Sequence, residues 1–186
     1  MSASERVDQL LDATERRMRA GGYHAVSFRD VAADVGIRSA SVHHHFPQKA
    51  DLGTALVRRY QERFLAALAD ARDRPPDDRL RALCTLYREA FDGGVVCLCG
   101  MLGAESAGLP DRLRSGVAGF FAANIAWVAD TLPEGWPAAR RRGEAAGIVA
   151  TLQGALILGA TLRDHRLVAD AVERVLERHG ALTASK

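Results

Sequence analysis

The chain has 186 residues, 48% hydrophobic and 26% charged. That is an ordinary soluble globular profile, long enough for a sizeable core in one large domain or two small ones. A formal net charge of only +2 excludes a polycation, so any nucleic-acid binding must come from a local patch.

No secretory signal is expected, because Met1 to Leu11 is polar and amphipathic rather than a charged tip followed by an apolar run. No stretch is expected to reach the roughly 20 apolar residues of a membrane span. The nearest, Ala145 to Leu162, is interrupted by Thr151 and Gln153. Cys84, Cys97 and Cys99 do not make a disulfide framework, which fits a reducing cytoplasm.

Helical periodicity dominates and strand alternation is nearly absent, so the expected fold class is all-α. Val7, Leu10, Leu11, Thr14 and Met18 mark one face of a first helix, stopped by Gly21-Gly22. Ser27-Phe28-Arg29-Asp30 reads as a capping box, opening a short helix striped with Phe28, Val31, Ala32 and Val35. Gly36 makes a sharp corner. A third short helix is expected from about Ser39 to Phe46, ended by Pro47. A long helix follows over Ala50 to Ala71, then a charged turn, Arg72 to Arg81, containing Pro75-Pro76. The next stripe is Leu80, Leu83, Cys84, Tyr87 and Phe91, ended by Gly93-Gly94.

A short helix is expected over Met101 to Ala107. Another starts at Pro110 and carries Val117, Phe120, Phe121, Ile125 and Val128. After a loop over Pro133 to Pro137, two last helices span about Ala138–Leu162 and Asp164–Arg178. The expected domains are an N-terminal three-helix head over 1–49 and a helical part over 50–186, joined by the helix of about 50–71.

Two short helices around a glycine corner form the frame that places a recognition helix in the major groove. Here the frame sits in a longer string: Ser27-Phe28-Arg29-Asp30-Val31-Ala32, Val35-Gly36-Ile37, Ser41-Val42-His43-His44-His45-Phe46-Pro47-Gln48-Lys49 and Asp51-Leu52. This string strongly resembles the N-terminal signature of the TetR/AcrR family of bacterial regulators, over roughly residues 6 to 60. The string from Cys97 to Glu105, with Leu109-Pro110, looks like one subgroup of that family.

The resemblance implies about nine helices, a homodimer, and a palindromic double-stranded DNA operator released when a ligand binds. Carried over by position, it implies that Arg29 reaches a base edge, since the arginine fork matches two guanine acceptors. Ser39, Ser41 and His44 point toward the groove. His43 stands where the family usually has a phosphate-touching tyrosine, and Lys49 matches the family's phosphate-binding lysine. Ser27 both caps and donates to phosphate. Arg38 stands where a serine N-cap is common, so the third helix is expected to lack its usual cap, with Arg38 reaching phosphate or base instead. Only protonated His43 adds positive charge, so binding is expected to strengthen modestly at low pH. The plain alternative for Arg29 and Lys49 is solvated charge, and for His45 a structural role. Three consecutive histidines spread round a helix and do not face one another, so no metal site is expected.

In the eighth helix, Gly143, Ala146, Gly147, Ala150, Gly154 and Ala155 let backbones approach closely. Leu152, Leu156 and Ile157 add apolar area. The ninth has Leu167, Val168, Ala171, Val172, Val175 and Leu176 on one side. Two such helices per chain fit a four-helix dimer contact, although the same stripes also suit packing within one chain.

A small hydrophobic effector is expected among Tyr87, Phe91, Met101, Phe120, Phe121, Asn124, Trp127 and Gln153. The two amides are the informative members, because a buried amide needs a partner. Cys97 and Cys99 offer thiol sensing of oxidants or electrophiles as an alternative, against their reading as small buried hydrophobes. Neither a cofactor nor an enzymatic role is expected: there is no nucleophile–base spacing, phosphate loop or zinc signature, and Glu105 and His165 stand isolated. An adaptor that has lost DNA binding is argued against by the intact Arg29 and Lys49.

Overall fold

The computed structural model of the chain describes residues 2–92 and 96–184. The described residues are mostly helical, with nine α-helices and no strand: α1 (Ala3–Gly21), α2 (Phe28–Val35), α3 (Ser39–His45), α4 (Lys49–Ala69), α5 (Pro76–Asp92), α6 (Leu98–Ala104), α7 (Asp111–Ala129), α8 (Ala138–Leu162) and α9 (Arg166–Ala184). The expected stop at Gly93-Gly94 lies outside the described residues.

Several boundaries differ from expectation, among them the end of the last helix, which runs to Ala184 rather than about Arg178. Pro76 opens α5 rather than sitting in a turn, because a first-turn proline loses no helix hydrogen bond. Asp77 and Asp78 follow in the first turn, where acidic groups suit the helix dipole. The short helix expected over Met101 to Ala107 starts earlier, at Leu98. Leu98, Cys99 and Leu102 supply its buried face, so the Cys97–Cys99 stretch opens a helix instead of closing one. A single 3-10 turn over Ser106–Gly108 follows it. The last helix starts at Arg166, after left-handed Arg163 caps α8 and the Asp164 carboxylate accepts from the Arg166 N–H.

The chain divides into two compact units, Met1–Glu62 with Leu98–Phe120, and Arg63–Cys97 with Phe121–Lys186. These differ from the 1–49 and 50–186 division expected from sequence. The reason is that α6, distant in sequence, packs against α1.

In the first unit α1 packs on α2, and α2 on α3. Leu10, Met18, Val31, Val42, Leu52 and Leu56 are fully buried, each contributing about 1.5–3 kcal/mol. Arg17 of α1 forks onto the Asp34 carboxylate of α2 at 2.6 and 2.8 Å. Arg59 of α4 reaches Asp12 of α1 at 2.7 Å and Glu15 at 3.7 Å.

In the second unit α5, α8 and α9 pack on one another. Gly159 makes this possible: a Cβ there would stand 2.9 Å from Phe91 Cζ and 3.2 Å from Val168 Cγ2. In α9, Val168, Val172 and Val175 are buried within the chain, so that part of its apolar stripe serves the unit's own core. The outer side of α8 is different. Gly143, Gly147 and Gly154 have no neighbour near a built Cβ, and Ile157, Leu158 and Leu162 are at least half exposed. By length and composition α8 is also apolar enough to cross a membrane, which corrects the expectation that no stretch comes close. Thr151 and Gln153 are too few to offset its alanines, leucines and isoleucines, and a core helix of a globular protein meets the same criterion.

His179 of α9 is buried, with Nε2 3.3 Å from the Asp77 carboxylate of α5. Burial lowers its pKa below the ordinary 6.5, and Asp77 opposes that shift only in part. The folded chain therefore resists a proton that the unfolded chain accepts. Stability should be greatest above about pH 6.5 and fall as pH drops through that value toward the lower folded pKa. Urea midpoints measured from pH 7.5 to 5.5 should decline for the natural chain and flatten in His179→Gln. Equal slopes would remove His179 as the cause.

Candidate nucleic-acid interface

The geometry of the α2–α3 pair begins at Ser27. Its Oγ accepts from the Asp30 N–H while the Asp30 carboxylate accepts from the Ser27 N–H and hydroxyl. That hydroxyl proton is therefore already committed to Asp30. The Ser27 hydrogen bond, with Arg17 and Arg29 nearby, holds the Asp30 carboxyl below its ordinary range. At the other end Gly36 turns left-handed, φ 72° and ψ 35°, the conformation in which a side chain is disfavoured. Two helices thus leave a rigid corner.

Arg29, Arg38, Ser41, His43 and His44 are exposed on this pair, and Ser39 is half-buried. No ion pair engages Arg29 or Arg38 among the described residues. Arg38 is the N-cap residue of α3 and makes no side-chain cap, which leaves its guanidinium available. The His43 ring stands edge-on to Phe28, centroids 4.6 Å apart, so packing partly fixes its direction. The surface offers cationic forks, hydroxyls and imidazoles from a short helix, which is the chemistry that reads phosphates and base edges.

Lys49 is turned inward. Its Nζ donates to the Tyr23 and Val26 carbonyls at 3.1 and 3.0 Å and lies 4.2 Å from the Tyr23 ring centroid. Burial lowers its pKa, with Glu105 pulling the other way. The sequence places lysine only at 49 and 186, with arginine at every other basic position. A compact ammonium can serve two converging carbonyls where a planar fork fits poorly.

Glu105 is the residue that sequence reasoning missed. Expected to be isolated, it follows α6 and accepts the Tyr23 N–H on Oε2 at 2.6 Å. Gly22 sits at φ 78° and ψ −177°, and a Cβ there would fall 2.2 Å from Glu105 Oε1. The Gly21-Gly22 pair carried a hint, since a helix stop needs one glycine and the second needed another explanation. Beside it, a Cβ on Gly108 would meet His24 Nε2 at 2.9 Å.

The expected effector residues divide between the units. Phe120 and Met101 fall in the first, where Phe120 is buried with its ring 5.3 Å from Tyr60. Tyr87, Phe91, Phe121, Asn124, Trp127 and Gln153 fall in the second. Tyr87, Phe91, Asn124 and Trp127 are buried there. Gln153 Nε2 donates to Tyr87 Oη at 3.0 Å and to Cys97 Sγ at 3.4 Å, while its Oε1 is buried without a hydrogen-bond partner. Cys97 and Cys99 are 4% and 0% exposed, and Cys84 is buried. Burial pushes the Cys84 thiol up to about 12.

Residues 10–56 match the sequence profile of bacterial regulatory proteins of the tetR family. The chain is 30% identical over 118 residues to the transcriptional regulator AcuR of Cereibacter sphaeroides, a match covering 59% of this chain and 53% of that protein. It therefore aligns with about half the length of this curated relative. The fold is similar to that of a TetR-family transcriptional regulator from Agrobacterium tumefaciens, with a TM-score of 0.87, 26% identity and coverage of 96% and 99% of the two chains. A TetR regulator from Legionella pneumophila superposes with a TM-score of 0.84 at 24% identity, over 96% and 98% of the two chains.

Proposed function

Because the chain belongs to the TetR family of bacterial regulatory proteins, we propose that it is a DNA-binding transcriptional regulator, a repressor that grips a palindromic operator as a homodimer. The observation that carries this reading is the unpaired, exposed Arg29 and Arg38 beside Ser41, His43 and His44, on two short helices fixed at a left-handed glycine. Two copies present two such edges, and a palindrome supplies two half-sites. The outer face of α8, with its small residues and exposed Ile157, Leu158 and Leu162, supports association through α8 and α9. An intracellular setting follows from the DNA target.

The effector is a small, largely hydrophobic molecule received among the C-terminal helices. The buried aromatic side chains of Tyr87, Phe91 and Trp127 support this. So does the buried, unpartnered Gln153 Oε1, an acceptor that a ligand donor would satisfy. The effector must prefer the arrangement that cannot span successive grooves, or it shifts nothing. Thiol sensing is the second reading. Its support is the contact of the Gln153 N–H with Cys97 Sγ, and burial of both thiols opposes it. If Cys97→Ser with Cys99→Ser leaves operator release by electrophiles unchanged, that reading ends. No catalytic role is assigned.

A shift assay on the DNA upstream of the chain's own gene tests the main reading. Phosphate contacts predict a loss of about a thousandfold or more in affinity between about 50 and 200 mM salt. Arg29→Ala should cost about 1–3 kcal/mol on the cognate site and relax base preference. Lys49→Ala should weaken cognate and random duplex alike and also lower the melting temperature, because two carbonyls lose their donor. Salt-independent binding, or identical profiles for the two variants, would count against the assignments.

A further inference from the structure

We propose that Glu105 is a positioning residue for DNA recognition: its carboxylate, carried at the end of α6, fixes the Gly22–Val26 turn and so sets how α2 and α3 leave α1. This rests on the DNA-binding reading above.

The turn between α1 and α2 is short and its polar backbone groups need partners. Two charged side chains, one just past α6 and one from α4, supply them. Glu105 takes the Tyr23 N–H at 2.6 Å, and Lys49 of α4 gives its protons to the Tyr23 and Val26 carbonyls. Tyr23 itself is buried, so its N–H has no ready substitute in water. Gly22 leaves room for the carboxylate, with Glu105 Oε1 where a Cβ would stand. Close approach of His24 to Gly108 places the 3-10 turn after α6 against the same segment. Ser27, which caps α2, comes directly after Val26. A shift at Glu105 therefore passes through four residues of backbone into the start of the recognition pair. Sites coupled in this way are coupled reciprocally: DNA that needs the seated head must also tighten the Tyr23–Glu105 contact.

The test uses the full chain as wild type, Glu105→Gln and Glu105→Ala, with circular dichroism to establish folding. Two quantities are read: hydrogen exchange at the Tyr23 amide, and affinity for the upstream DNA fragment. A hydrogen bond to a charged group is among the stronger ones. Glu105→Ala should accordingly exchange about tenfold faster at Tyr23 and bind about tenfold more weakly, with the ranking of operator variants unchanged. Glu105→Gln, which keeps an acceptor, should lie between. Added operator should slow Tyr23 exchange in the wild type. Faster exchange in Glu105→Ala with operator affinity within about twofold of wild type would make Glu105 a stabilising contact only and overturn the proposal. A wild-type chain that binds no fragment would overturn the DNA-binding reading and this proposal with it, whatever the exchange data show.

Discussion

Gly22→Ala should destabilise the chain by about 3 kcal/mol or more, read as a lower urea midpoint at unchanged slope. Two penalties combine at this position. The backbone at φ 78° and ψ −177° lies in a region that essentially only glycine enters, at a cost of about 1–3 kcal/mol for other residues. The added Cβ would also overlap the Glu105 carboxylate, forcing it off the Tyr23 N–H and leaving a buried donor unpaired. Gly36 is the internal control. Its φ of 72° is comparable, yet nothing lies within 4 Å of a Cβ built there. Gly36→Ala should therefore show the torsional penalty alone, about 1–2 kcal/mol. If Gly22→Ala costs no more than Gly36→Ala, the carboxylate is more mobile than the hydrogen bond implies. For a fold whose whole stability is about 5–15 kcal/mol, the larger loss would show as reduced yield at growth temperature.

Leu158→Arg should convert the proposed dimer to a monomer and reduce operator affinity by about 10²–10⁴-fold, the factor that separates tethered from independent engagement of two half-sites. Leu158 lies between Ile157 and Leu162, the three large hydrophobic side chains most exposed on the described surface. They share the C-terminal end of α8 with Gly154, where a built Cβ meets nothing. A guanidinium there costs the single chain little because it reaches water, but it cannot be buried unpaired against a second copy. Sedimentation equilibrium reads the mass, and the shift assay reads the affinity. A Leu158→Arg chain that stays dimeric and binds as before would move the contact away from this end of α8.

How much of this was legible in the sequence depended on how local each feature was. Ser27 and Asp30 form their capping box three residues apart, and the box was visible as a string. Gly36 was readable because one conformation there explains both short helices. The α8 boundaries followed from Pro137 and the end of the apolar run. What stayed hidden was non-local. Glu105 meets Tyr23 across 82 positions, and no periodicity encodes such a meeting. Lys49 matches the family's phosphate-binding lysine, so the resemblance implied an outward amine; only the folded turn shows two carbonyls converging on it. Pro75-Pro76 read as a break because proline disrupts helix interiors, yet it is equally suited to a helix start. The α9 stripe was ambiguous from the outset, since a face buried in one chain and a face buried between two have the same composition.

The inward turn of Lys49 also gives the protein a built-in reporter. With lysine at only two positions in the sequence, an amine-reactive acylating reagent has few targets besides the terminal amine. An ammonium must shed its proton and swing free before it can be acylated, so the rate at which residue 49 takes up label counts how often the turn opens. Mass spectrometry of one peptide would then follow the motion of the head, with and without DNA, in a chain that carries no added tag.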